Sequence, residues 1–189
     1  MKQPEQLLEL LEYGVQLKQL PRTGWIQRGI ANVETIAAHS YTVSLLAMAF
    51  VELIDEPFDK YRVMQLTMIH DLPEALTSDI PSPVKRFFPE ELRATLKHDI
   101  ERNSMHEITR NLPFGADWNG LWEEMAAEET AEAKLCRDVD KLDMYIQAYM
   151  YEEQTGNKRL AEFWTKRHVF NYPEVQDVYD LIVLRRGND

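Results

Sequence analysis

A single cysteine, Cys136, in 189 residues excludes an internal disulfide framework and any zinc site built from cysteines. Glycine and proline are scarce, at 7 and 9 residues, too little turn chemistry for a many-stranded sandwich. Basic side chains are outnumbered by acidic ones, 21 to 32, for a formal net charge of −11. The long-range field of such a chain repels phosphate, which argues against a nucleic acid polymer or an anionic membrane as partner. Neither a Walker-type lysine loop nor a G-x-G-x-x-G occurs, so machinery for nucleoside triphosphates is not expected. The longest weakly polar run, around Ser44 to Val51, is too short to span a bilayer. The opening stretch, MKQPEQLLELLEYG, is acidic and interrupted by polar residues, unlike a signal or transit peptide, which leaves the cytoplasm as the expected compartment.

Hydrophobic residues make up 44% of the chain, enough for a core without staples, and they recur with helical periodicity. Helices are expected over about Pro4–Leu20, Glu34–Ile54 and Phe58–Leu72, then Pro89–Asn111 and Gly120–Gln154, with two shorter ones at Lys158–Val169 and Pro173–Arg185. Pro21 closes the first, Pro73 stops the third, and Pro113-Phe114-Gly115 separates the two long ones. Arg22–Val33 and the turn-rich Ser78–Pro83 read as loops. No repeat or Gly/Ser linker breaks the pattern. The architecture is an all-α bundle forming a single domain over 1–189.

Three polar residues sit where these helices should be apolar. His39 is three after Ile36 and four before Val43; His70 is seven after Val63 and four after Leu66; Asp140 follows Val139 and precedes Met144 by four. Asp71 follows His70 directly. Burying an imidazole or carboxylate without a partner is costly, so inward polar groups on separate helices should meet. A divalent metal would satisfy two imidazoles and two carboxylates together, and such a set suits Zn, Mn, Fe, Co or Ni better than Ca. Spacing alone leaves Asp138, Asp140 and Asp143 open as the last ligand.

The segments Arg22-Thr23-Gly24-Trp25-Ile26-Gln27-Arg28, Ala38-His39-Ser40-Tyr41, His70-Asp71-Leu72-Pro73-Glu74-Ala75, Asp79-Ile80-Pro81, Pro83-Val84-Lys85 and Asp138-Val139-Asp140-Lys141-Leu142-Asp143-Met144 together resemble the HD-domain phosphohydrolases, and within them the 5′-deoxynucleotidases. The likeness runs from about Leu17 to Trp164, with the C-terminal helices packed on that core. It implies an HD-type helical fold, one bound divalent transition metal, and hydrolysis of deoxyribonucleoside 5′-monophosphates to nucleoside and phosphate, commonly by a homodimer. Position by position, the resemblance implies His39, His70, Asp71 and Asp140 as metal ligands, Asp140 being selected by the match through Met144. It implies Glu74 as the catalytic acid, Asp79 as a carboxylate near the sugar and leaving oxygen, and Arg22 as a grip on the substrate. The chain departs from the family at Ala38, where a glutamate is usual, which puts the support of the first metal histidine in question.

A divalent ion with two aspartates is formally neutral, while a monophosphate carries about −1.5 to −2 near neutral pH. In so acidic a chain that anion needs local cations, and Arg22, Arg28 and Lys85 are the candidates beside the expected site. Arg22 is favoured because a guanidinium fork can grip phosphate at two oxygens. Two other functions compete. One is a di-iron HD-type oxygenase acting on a small polar substrate, which would draw on extra histidines such as His98 and His106. Eight residues apart on a helix, these point about 80° from each other and suit one site poorly. The other is a non-catalytic nucleotide-binding module, which would not need a positioned acid at Glu74. Glu123, Glu124, Glu128, Glu129 and Glu132 read as a solvated face paired with Lys134 and Arg137. Met144–Tyr151, apolar nearly all round, reads as core or a dimer contact.

Overall fold

Threonine and aspartate caps set where three of the helices that build the core begin. In the computed structural model, residues 3–93 and 95–187 are described, the side chains of 82, 83 and 85 excepted. The elements are α1 (Gln3–Gln16), α2 (Thr23–Gln27), α3 (Ile36–Leu53), α4 (Lys60–Ile69), α5 (Glu74–Thr77), α6 (Leu96–Thr109), α7 (Gly115–Ala127), α8 (Ala131–Thr155) and α9 (Pro173–Gly187). Short 3₁₀ stretches cover Ser82–Phe87, Glu90–Leu92 and Lys158–Trp164. Thr35, Asp59 and Thr130 cap α3, α4 and α8 by accepting from Ala38 N, Arg62 N and Ala133 N. Among the described residues strand structure is limited to one isolated bridge, Pro21 to Thr35.

Several boundaries differ from expectation. The helix expected from Pro89 begins at Leu96, after a 3₁₀ turn at Glu90–Leu92, and the one expected over Lys158–Val169 is a 3₁₀ stretch ending at Trp164. Four further differences have local reasons. The first helix stops at Gln16 and not near Leu20. Beyond it the carbonyls of Leu17 and Leu20 turn to accept Ala37 N and Ile36 N, the orphan donors at the start of α3. The Arg22–Val33 loop contains α2, whose two leading N–H groups are held from a distance by Asp79. The expected Gly120–Gln154 helix is two helices, because Glu128 adopts a left-handed conformation (φ 55°) and Thr130 caps a new start. Gly115, expected as a breaker, begins α7. A Cβ there would lie 2.3 Å from the Thr109 carbonyl oxygen, so only glycine lets the α6–α7 corner close.

The core is built around α8, with Leu135, Val139, Leu142 and Ala148 fully buried. Helix α3 packs on α4 and α8, α4 on α7 and α8, and α9 on α8. The expected stripes Ile36/Val43/Phe50/Ile54 and Val63/Leu66/Ile69 all face inward. By length and composition α3 is apolar enough to cross a membrane, which the Ser44–Val51 run did not suggest. Here it is a core helix, with His39, Val43 and Ala47 fully buried. A smaller cluster of Trp25, Ile30, Ala148, Tyr151 and Leu160 packs α2 and its loop against the C-terminal half of α8.

Asp138 fastens α9 to this frame. Its carboxylate accepts from Asn171 N (2.7 Å), Asn171 Nδ2 (2.8 Å) and Tyr172 N (3.0 Å). Asp138→Ala would leave two backbone donors unsatisfied, at about 2–4 kcal/mol of stability. Urea unfolding should show that loss while metal content stays unchanged.

Candidate active site

His39 lies in the first turn of α3, His70 at the C-cap of α4, and Asp140 midway along α8. Helix α4 ends at Ile69, before the expected stop at Pro73. The turn over residues 70–73 carries Asp71 and leads into α5, whose first residue is Glu74, with Glu74 N donating to Asp71 O. Packing α3, α4 and α8 together brings the four expected ligands to one point. His39 Nε2 is 3.1 Å from Asp140 Oδ1 and 3.6 Å from Asp71 Oδ2; His70 Nε2 is 3.3 Å from Asp71 Oδ2.

Both imidazoles are aimed by their other nitrogen. His70 Nδ1 lies 2.7 Å from Thr67 O, which can only accept, so Nδ1 carries the proton. His39 Nδ1 lies 2.6 Å from Asp143 Oδ2. The two Nε2 atoms are buried and have no hydrogen-bond partner. Two orphaned ring nitrogens facing two carboxylates are the donor set of a divalent transition metal, with the partners behind them that metal histidines use. His39, His70, Asp71 and Asp140 would hold the ion. Asp143 supports His39, while Asp138 is engaged elsewhere. Ala38, where the chain departs from the family pattern, is exposed on α3, about 100° round the helix from His39.

The carboxylates shape the electrostatics at the same point. Burial and Arg22 push the His39 pKa down, yet Asp140, Asp143 and Asp71 outweigh them and raise it to about 9. Burial opposes ionisation of Asp71, but His70, His39 and Arg22 hold it below the usual carboxylate range. Glu74 behaves oppositely: burial, then Asp71 and Asp79, raise it to about 9. A carboxyl pushed upward in this way is suited to the part of a general acid.

Arg22 stands at the mouth, its Nη1 3.7 Å from Asp71 Oδ2 and its Nε 3.7 Å from Glu34 Oε1. Its backbone is pinned by the Arg22 N–Glu34 O bond. One oxygen of Asp79 accepts from Thr23 N (2.8 Å) and Gly24 N (3.4 Å), so Asp79 also positions the Arg22 segment. Arg28 lines the same cavity, but its guanidinium bonds Gly24 O and Glu162 and lies over Phe163. The Lys85 side chain lies outside the described residues. The sequence reading missed Lys97, Arg137 and Lys141, which line the centre. Lys97 Nζ donates to Ile80 O (3.2 Å), and Arg137 and Lys141 reach Asp140 at 3.3 and 3.9 Å. Their signal was present on α8, where Arg137, Asp140 and Lys141 share one face at three- and four-residue spacing. His98 stacks on Trp122 and His106 is exposed; among the described residues neither belongs to a metal-competent cluster.

Residues 15–177 match the HD domain family. The chain belongs to it. As an HD domain it is similar to the human 5′-deoxynucleotidase HDDC2, 34% identical over 97% of this chain and 87% of that protein. The zebrafish protein of the same name is 35% identical over 90% of this chain and 83% of its own length. Among solved structures, a conserved hypothetical protein from Pyrococcus furiosus is 29% identical, with a TM-score of 0.77 over 95% of this chain and 99% of that one. This HD domain thus shares its helical framework with relatives across nearly its whole length.

Proposed function

We infer that this chain is a metal-dependent phosphohydrolase that cleaves deoxyribonucleoside 5′-monophosphates to nucleoside and phosphate. The observation that carries the reading is the pair of unpartnered Nε2 atoms at Asp71 and Asp140, with buried Glu74 and a group of cations lining the same cavity. The curated relatives named above support the substrate class. A divalent ion at this set supplies Lewis-acid polarisation of a phosphate and a water of lowered pKa. The chain's own residues do the rest. Arg22 and Lys141 bind phosphoryl oxygens, and Asp79 orients the sugar side. As water adds to phosphorus and the P–O5′ bond breaks, Glu74 gives its proton to the departing 5′ oxygen. The metal is one of Mn, Co, Fe, Ni or Zn. Phosphate release from a panel of deoxy- and ribonucleoside monophosphates, with each metal added to stripped protein, tests the reading. Absence of release from every deoxynucleotide would overturn it.

Arg22→Ala should leave metal content unchanged and lower kcat/KM by about 10–100-fold, the cost of a charge-assisted contact to phosphate. Arg22→Lys should recover only part of this, because a point charge cannot reproduce the fork. A fully active lysine variant would show that two-point recognition is the wrong account.

We also propose that the chain works as a homodimer through the face formed by α1, α3 and α4. Leu11, Tyr61 and Met68 are more than half exposed around an apolar cleft of about 550 Å³, and Tyr41 and Leu45 extend exposed apolar surface along α3. Apolar patches of this kind are uncommon on monomers. Light scattering should give twice the chain mass at micromolar concentration and the single mass for Met68→Glu.

A further inference from the structure

Two cavities meet at the centre. One, of about 260 Å³, includes Arg22, Trp25, Asp79, Met144 and Phe163 in its lining and takes the nucleotide in the reading above. The other, of about 360 Å³, is bounded on its own side by His98, Glu101, Trp122, Met125, Ala126 and Glu128. Their common wall is Asp71, Glu74, Lys97, Arg137, Asp140 and Lys141. Every cation of that wall can therefore be approached from both sides.

We propose that the second cavity is an anion compartment for inorganic phosphate, through which water reaches the phosphoryl group and product phosphate leaves. As to where that phosphate comes from, the proposal rests on the phosphohydrolase reading; the binding itself does not depend on it. In a phosphoryl transfer the attacking and leaving oxygens lie roughly in line. With the nucleoside in the Arg22 cavity, the second cavity, which shares Asp71 and Asp140 with it, is the route by which the attacking water would arrive. Water's oxygen becomes the fourth oxygen of phosphate, and the P–O5′ electron pair leaves with the nucleoside. Until the nucleoside withdraws it blocks the first cavity, so phosphate has one open direction.

The compartment also carries a device that keeps phosphate from lodging there. Glu101 Oε1 holds Lys97 Nζ at 3.2 Å, and Glu128 Oε1 holds Arg137 Nε at 3.0 Å. Glu128 owes its place to the left-handed break between α7 and α8. These carboxylates compete with the product for the two cations and weaken its hold.

The test uses metal-loaded full chain and inorganic phosphate, with binding read by calorimetry in the absence of nucleotide. Glu128→Gln removes one of the two carboxylates on Arg137, leaving Asp140, and should tighten phosphate binding about threefold to tenfold. Ala126→Trp, at an exposed rim position, fills only the second cavity and should weaken it by a similar factor. KM for deoxynucleotide should stay within about twofold in Ala126→Trp, and phosphate should inhibit the parent with a mixed pattern. Unchanged phosphate affinity in Glu128→Gln, or purely competitive inhibition with affinity and KM moving together, would overturn the proposal by placing phosphate in the nucleotide cavity alone. A chain that binds phosphate this way yet hydrolyses no deoxynucleotide would refute the functional reading and leave the compartment standing. Glu128 is an exposed surface residue, so its variant decides the matter even if Ala126→Trp folds poorly.

Discussion

Glu74→Gln is expected to keep its metal, bind deoxynucleotide about as well as the parent chain, and lose turnover by about 10²–10⁴. The substitution keeps size and hydrogen bonding but removes the proton. Glu74 is only 7% exposed and lines both cavities at the centre. Burial beside Asp71 and Asp79 holds it protonated well above the usual carboxylate range. The amide cannot copy that acid, so the 5′ oxygen would have to leave as an alkoxide or wait for solvent. Metal analysis, affinity and kcat on this one variant distinguish three roles. Loss of the ion would make Glu74 a ligand. A fall in turnover of less than about threefold would make it a bystander.

His70→Ala should release the ion and abolish activity together. Its backbone is separately secured, because Trp122 Nε1 donates to His70 O at 3.1 Å, so the turn should survive loss of the ring. An ion bound only by the native state stabilises it by about 2.7 kcal/mol at a concentration 100-fold above its Kd. The parent's Tm should therefore rise with added metal and the variant's should not. Asp143→Asn probes the support behind His39. It touches only Nδ1 and should weaken metal affinity about 10–100-fold without removing a ligand. Stoichiometric metal in His70→Ala would remove that residue from the coordination set.

How much of this was legible in the residues follows from what each feature depends on. Helical periodicity is a local property of the chain, so Ile36, Val43, Val63 and Leu66 could be assigned inward faces directly, and all four are fully buried. An inward His39 among such residues stood out because an imidazole there lacks an apolar reason. The break at Glu128 was not legible. Nothing in a glutamate announces a left-handed conformation, and the cap that restarts the helix is a single threonine. The choice among Asp138, Asp140 and Asp143 was also beyond spacing. All three fall within two turns of α8, and what separates them is which neighbour each meets: Asn171 and Tyr172, the centre itself, or His39 from behind.

The cations show the same division. Sequence proximity favoured Arg22, Arg28 and Lys85, because neighbours along the chain are the only neighbours a sequence displays. By itself the sequence determined the all-α class, the inward histidines, the His70-Asp71 pair with Glu74 one turn on, and an acidic surface that makes local cations necessary. The tertiary structure decided which further cations line the centre beside Arg22. Lys97, Arg137 and Lys141 come from α6 and α8 and converge only when these helices close around the centre. Arg28 is turned aside to Glu162 across more than a hundred residues. Side-chain identity and helical phase are short-range properties that a linear chain carries openly. Convergence of charge is long-range, set by how the helices pack, and it exists only in the folded molecule.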